Sequence, residues 1–176
     1  PSGPALEGGH IEAGMRAAEG AVERARVVNG GIEIETIGGV EPVGICGSGV
    51  LDTVAAMLEV GIIDRRGRIR MGHPAVRQDG KLPELALAPG VAFTQHDVRS
   101  VQVAKAAIRS SVDLLLREAG LDESRLDQVV IAGAFGAYIG IESAIAIGLL
   151  PPLPLERFAQ VGNSAGVGVR MTLASA

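Results

Sequence analysis

The fold turns on Val129-Val130-Ile131-Ala132-Gly133-Ala134-Phe135-Gly136. Leu126 to Ala132 holds a short apolar run, Val129-Val130-Ile131, which reads as a buried strand. Small residues then replace it without warning, so Gly133 to Gly136 reads as a glycine turn. A short helix is expected beyond it, from about Ser143 to Leu149, stopped by Pro151-Pro152. Gln160-Val161 reads as a last strand, with Gly162-Asn163 opening a final helix to about Ala174.

Working back from that turn, Thr94 with Asp97 three residues on is a helix-opening signature. Val101, Ala104, Ile108, Val112, Leu115 and Ala119 follow at helical spacing, and Gly120 ends the helix. Residues 61–95 read as a long irregular connection with short strands, carrying the basic cluster Arg65, Arg66, Arg68 and Arg70. Before it, Ala21 to Val28 and Ile32 to Ile37 alternate as half-buried strands around Asn29-Gly30-Gly31, a hairpin signal. Val43 to Cys46 is a third strand, and Gly47-Ser48-Gly49 turns into a helix from about Val50 to Glu59. A short helix is expected near Ile11 to Ala17 in the Gly/Ala-rich opening. The order of elements predicts an α/β domain, a mixed sheet with flanking helices.

Composition narrows the function. Apolar residues make up 47% of the 176, too many for a disordered chain, while aromatics are only Phe93, Phe135, Tyr138 and Phe158. With a net charge of -4, no basic stripe and almost no stacking surface, nucleic acid is not an expected partner. One cysteine, Cys46, permits no internal disulfide and holds no metal cluster by itself. No apolar run is long enough to cross a bilayer, so no membrane association is expected, and a reducing cytoplasm is the default compartment. The start at Pro1, with Gly3, Pro4 and Gly8 close behind, reads as the interior of a larger protein.

Three turns share one logic: a strand ends, small residues follow and a helix begins. They are Cys46-Gly47-Ser48-Gly49, Ala132 to Gly136 and Gly162-Asn163-Ser164-Ala165-Gly166. Helix N termini offer unpaired N–H groups and a partial positive charge, which suit phosphates. Each alone reads first as a plain turn, and none matches a Walker or Gly-x-Gly-x-x-Gly pattern. Cys46 admits two readings, a redox thiol or a small buried residue at a strand end. Gln102, Lys105 and Arg109 share a face of the long helix. That face is either a solvated cationic surface or a set of donors around a purine and its ribose. His10, His73 and His96 have no metal-ligand spacing, and Asp52 and Glu59 read as solvated.

Taken in order, several segments resemble the C-terminal part of the reductive activators of corrinoid proteins. They are Gly3-Pro4-Ala5-Leu6-Glu7-Gly8, Gly14-Met15-Arg16-Ala17, Pro42 to Gly49, Gln102 to Arg109, Ala132 to Gly136, Ile147 to Pro151 and Val161 to Gly166. The resemblance implies a ribonuclease H-like lobe of the ATPase fold shared by acetate and sugar kinases, heat-shock chaperones and actin, with residues 1–176 as one domain. It implies ATP with Mg²⁺ in the full domain, and a ferredoxin-type 2Fe-2S iron–sulfur cluster in the parent protein outside this chain. ATP would drive an uphill electron transfer that returns an inactive Co(II) corrinoid to Co(I). Implied partners are a corrinoid protein, methyltransferase components and a second copy in a homodimer.

Carried onto these residues, the resemblance makes Ala132 to Gly136, hence Gly133, Ala134, Phe135 and Gly136, the adenosine motif. Gln102, Lys105 and Arg109 would lie beside base and ribose. Gly47, Ser48 and Gly49 open the helix of this lobe, and Asn163 sits in the connecting helix near the hinge. Glu7 is the nearest candidate for a polar role at the cleft. The chain departs from the family in lacking an Asp-x-Gly phosphate loop, which in the family precedes the Gly-Pro-Ala-Leu-Glu-Gly segment; Asp79-Gly80 lies in the irregular stretch instead. By itself the chain is expected to be inactive. Three rival readings remain: a sugar or acetate kinase relative, an activator of a 2-hydroxyacyl-CoA dehydratase, and a docking or dimerisation lobe whose nucleotide site has decayed.

Overall fold

In the computed structural model, which describes residues 3–80 and 82–175, the alternating segments pair as the sequence predicts. Strand β1 (Ala21–Val28) and β2 (Gly31–Thr36) form an antiparallel hairpin closed by the Val28↔Gly31 pair. The two turn residues, Asn29 (φ 51°) and Gly30 (φ 79°), are both left-handed, the geometry that matches a hairpin's own twist. Strand β3 (Gly44–Ile45) lies parallel to the start of β1 on its other side, pairing Ala21 with Gly44 and Val22 with Ile45.

Helix α1 (Gly47–Glu59) follows at once and rests on β1. It begins three residues before the sequence suggests, taking Gly47-Ser48-Gly49 into its first turn. The reason is packing: a Cβ at Gly49 would stand 2.1 Å from the Val22 carbonyl oxygen, so only glycine lets helix and strand approach. The helix is buried on nearly every side. Asp52 is buried with it at 5% exposure, where the sequence suggested solvent; Glu59 is exposed as expected. The segment read as a helix near Ile11 to Ala17 is a turn instead. Its Gly14 forms a parallel bridge with Ile45, and the helical turn of this region is Pro4–Glu7.

Residues 61–95 are more ordered than they read. An Ile63↔Ile69 bridge closes a tight loop. Strands β4 (Val76–Asp79), β5 (Leu82–Ala88) and β6 (Val91–Thr94) then form an antiparallel meander. β6 runs into α2 (Gln95–Glu118) through the expected capping box. The Thr94 hydroxyl accepts from the Asp97 N–H, while the Asp97 carboxylate accepts the Thr94 N–H at 2.8 Å. Beyond α2 come β7 (Val129–Ala132), α3 (Ile141–Ala146), β8 (Phe158–Gly162) and α4 (Ser164–Ala174), with β8 parallel to β7.

The architecture is α/β with helices flanking sheets, but among the described residues the strands fall into three small sheets rather than one. β3 covers only the first two residues of one edge of β1, and β7 pairs only with β8 among the described residues. The core joins α1 to the meander: Ile45, Leu51, Met57, Ile62, Leu85 and Phe93 are almost fully buried. Each such side chain contributes about 1.5–3 kcal/mol. The other end is open. Val130 and Val161 on the parallel pair are about half exposed, and α4 has no buried residue.

Candidate functional site

A cavity of about 510 Å³ opens where the first turn of α1 meets the turn after β7. Gly47 and Ser48 line one wall, and Ala134, Phe135 and Tyr138 another, with Glu7 from the Pro4–Glu7 turn between them. The approach is close. A Cβ at Gly47 would stand 2.1 Å from the Leu6 carbonyl oxygen and 2.7 Å from the Phe135 ring. Three distant stretches therefore meet at a position only glycine can fill.

Each wall has a local cause. Cys46 caps α1 through its backbone alone; its thiol is turned inward, 3.4 Å from both the Val22 carbonyl oxygen and the Ser48 hydroxyl. Of the two readings of Cys46, burial favours the small packed residue. With no side chain capping α1, its first N–H groups lack the usual partner, which leaves them to water or a ligand. After β7, Gly133 adopts φ +103° with open space where a Cβ would be, and its N–H donates to the Gly162 carbonyl at 2.7 Å. This left-handed residue turns the chain so that Phe135 reaches α1.

The candidate residues do not all converge. Gly47, Ser48, Ala134 and Phe135 share this cavity. Gly49 packs on β1, and Gly136 is buried against Ile131 with its carbonyl held by the Gln160 amide. Gln102 and Lys105 line a second cavity of about 670 Å³ with Asp64, Arg65 and Arg70. Their polar ends are engaged: the Lys105 ammonium donates to the Ile147 carbonyl at 2.9 Å, and the Gln102 amide to the Arg66 carbonyl at 3.0 Å. Arg109 is paired with Glu123 and with Asp113, and its hydrogen bond to Glu123 raises its pKa further. Asn163 caps α4, accepting the Gly166 N–H at 3.0 Å, beside the strand that holds Gly133. Tyr138 was missed by sequence reasoning. Its signal was there: the chain's one tyrosine lies two residues past the Gly133 to Gly136 turn, and in the structure it is 67% exposed.

Comparison with known proteins places this arrangement. The sequence profile of the C-terminal domain of RACo, the ASKHA domain, matches residues 1–176. The chain belongs to this family. The corrinoid activation enzyme RamQ of Eubacterium limosum is 39% identical to it over 190 residues, covering 98% of this chain and 32% of the relative. The Co(II) methylated amine-specific corrinoid protein reductase of Methanosarcina barkeri is 30% identical over 186 residues, covering 93% and 32%. Among solved structures, a reductive activator for corrinoid, iron–sulfur protein superposes with a TM-score of 0.88 at 39% identity, over 97% of this chain and 29% of that one. The chain thus spans about a third of the length of the curated relatives it matches.

ASKHA domains bind nucleotides, and the residues of the first cavity fit one. The uncapped α1 terminus suits an anion, and the Phe135 and Tyr138 rings suit a planar base. Among the described residues, no three His, Cys, Asp or Glu side chains are grouped to hold a metal ion. No helix among the described residues is long and apolar enough to cross a membrane.

Proposed function

We propose that this chain is the C-terminal lobe of the nucleotide domain of an activator that uses ATP to return an inactive Co(II) corrinoid protein to Co(I). One electron, supplied by a reduced 2Fe-2S cluster elsewhere in the parent protein, would complete that change. Mg²⁺ would accompany the ATP phosphates, methyltransferase components would stand beside the corrinoid protein, and the compartment would be the cytoplasm. The observation that carries this reading is the convergence of Gly47-Ser48 and Ala134-Phe135 on one cavity, in a chain similar to corrinoid activators along its whole length.

The residues here bind and orient. The α1 N terminus faces an anionic group, and the Phe135–Tyr138 turn flanks a ring. Two lobes closing on ATP would convert nucleotide state into affinity for the partner, since a ligand shifts a conformational equilibrium only by its differential binding to the two states. Gln102, Lys105 and Arg109 enter this scheme only if the Lys105–Ile147 and Arg109–Glu123 contacts open. A second reading, a docking or dimerisation lobe, draws on α4, where Val167, Val169, Met171 and Leu173 are about half to three-quarters exposed.

Calorimetry of ATP and ADP on the full-length parent separates these readings. Tyr138→Ala removes an exposed ring at no packing cost and is expected to weaken ATP by about 5- to 150-fold, the worth of one stacked base. Lys105→Ala tests the alternative placement along α2. Loss in Lys105→Ala alone would move the base to the second cavity. No binding by the wild type would leave the docking lobe.

A further inference from the structure

The loop from Gly61 to Arg70 carries four arginines against one aspartate, in a chain whose net charge is -4. Arg65, Arg66, Arg68 and Arg70 are all exposed, as is Arg99 on the facing turn of α2. None of the five has an ion-pair partner among the described residues, although Arg24, Arg26, Arg77 and Arg109 all do. Unpaired like charges crowded on one loop repel one another, a cost that an anionic partner would relieve.

The loop is held rigidly while its guanidinium groups are left free. Asp64 accepts the N–H groups of Arg66 and Arg68 at 2.9 and 3.0 Å. Buried Gln95 donates to the Gly67 carbonyl at 2.7 Å and accepts the Ile69 N–H at 2.8 Å. Gln102 takes the Arg66 carbonyl. The backbone is thus fixed by side chains from α2, and the arginines project from a fixed frame, so little order is lost when they are engaged. Beside them, Arg66, Arg68 and Arg99 border a concave surface of about 500 Å³ that also contains Met71 and Leu82, 58% and 41% exposed. Arginine and methionine around an apolar centre is the composition of a protein-binding surface.

We propose that this arginine platform docks a carboxylate-rich surface of a protein partner. On the functional reading above, on which this assignment of the partner rests, that is the acidic face of the corrinoid protein. A nucleic acid fits less well: among the described residues the concave surface has no aromatic ring for a base to stack on, and the charge is confined to one loop and the facing turn of α2 instead of tracking a long groove. Steering by such a platform acts on the encounter rate and fades with salt.

The test uses the full-length parent, its corrinoid protein and the variant Arg66→Gln/Arg68→Gln/Arg99→Gln, which leaves Gln95, Gln102 and Asp64 in place. At low ionic strength the variant's association rate is expected to fall about ten-fold or more and lose most of its salt dependence. ATP hydrolysis without partner, and corrinoid reduction at saturating partner, are expected to stay at wild-type levels. The matching Arg→Lys variant is expected to restore most of the rate. A variant that melts like the wild type yet keeps its association rate and salt slope overturns the proposal. Labelled decaglutamate and a DNA oligonucleotide of equal charge, tested on the same proteins, separate the remaining outcomes. Tighter binding of the DNA through the same arginines overturns the protein partner in favour of nucleic acid. Arginine-dependent binding of decaglutamate by a parent that reduces no corrinoid protein keeps the acidic docking surface and discards the corrinoid reading.

Discussion

Gly47 has room for a hydrogen atom and nothing larger, because the Leu6 carbonyl and the Phe135 ring close over it. Gly47→Ala is expected to cost about 2–3 kcal/mol, the usual penalty of overpacking against backbone, visible as a lower denaturant midpoint. Asp52 presents a different case. One carboxylate oxygen lies 3.7 Å from the Arg24 guanidinium and the other has no partner. Arg24→Gln strands a buried charge and is expected to destabilise the fold, while adding Asp52→Asn recovers most of the loss, about 1–3 kcal/mol in a double-mutant cycle. At the arginine loop, the Arg68 and Arg66 N–H groups and the charges of Arg70 and Arg66 hold the Asp64 carboxyl below its usual range. A depressed folded pKa contributes stability above the unfolded value and loses it as pH falls through the folded one. Loop order, followed by the Arg66 and Arg68 amide resonances, is therefore expected to persist at neutral pH and fade only at pH below the ordinary aspartate range, and Asp64→Ala is expected to abolish that transition. None of this was legible in the sequence. The steric limit at Gly47 comes from residues 41 and 88 positions away, and Asp52 looked solvated because periodicity ranks helix faces without revealing that every face is covered.

Elements were more legible where their chemistry is local. The Asn29-Gly30 turn and the Thr94–Asp97 box announce themselves because each works between neighbours in sequence. The meander from Val76 to Thr94 did not, since its strands are short, with Pro83 inside β5 and Pro89 just past its end, which blurs the alternation. The box also does more than open a helix. The second Asp97 oxygen accepts the Glu12 N–H at 2.9 Å, tying the start of α2 to the chain's first turns. Thr94→Ala is expected to cost about 1 kcal/mol, the worth of a cap. Asp97→Ala takes the acceptor from two partly buried N–H groups, those of Thr94 and Glu12, and is expected to cost about 1–3 kcal/mol, both read from thermal melts. The α1 boundary shifted by a turn because glycines normally end helices, and here close packing on β1 keeps them inside.

At the scale of the whole molecule, order is unevenly spread. α1, β1 and the meander share the core, whereas β7, β8 and α4 bury little, although parallel strands are ordinarily covered on both faces. Hydrogen exchange of the 176-residue chain is expected to show slow amides in α1 and β5 and fast ones in β7, β8 and α4. In the full-length protein, protection of that second group would mark the surface where another lobe or copy rests. The same asymmetry governs α2. Its buried residues, Gln95, Asp97, Val98 and Val101, all lie in its first two turns, and Arg109 further along pairs with Glu123 in the turn that follows the helix. The helix is a cantilever, set in the core at one end and clear of it at the other. At about 36 Å long, a tilt of about 5° at its root swings the free tip by about 3 Å. A sub-ångström adjustment near Thr94 thus reaches the far end as a displacement large enough to be felt by whatever touches Leu114 and Leu115.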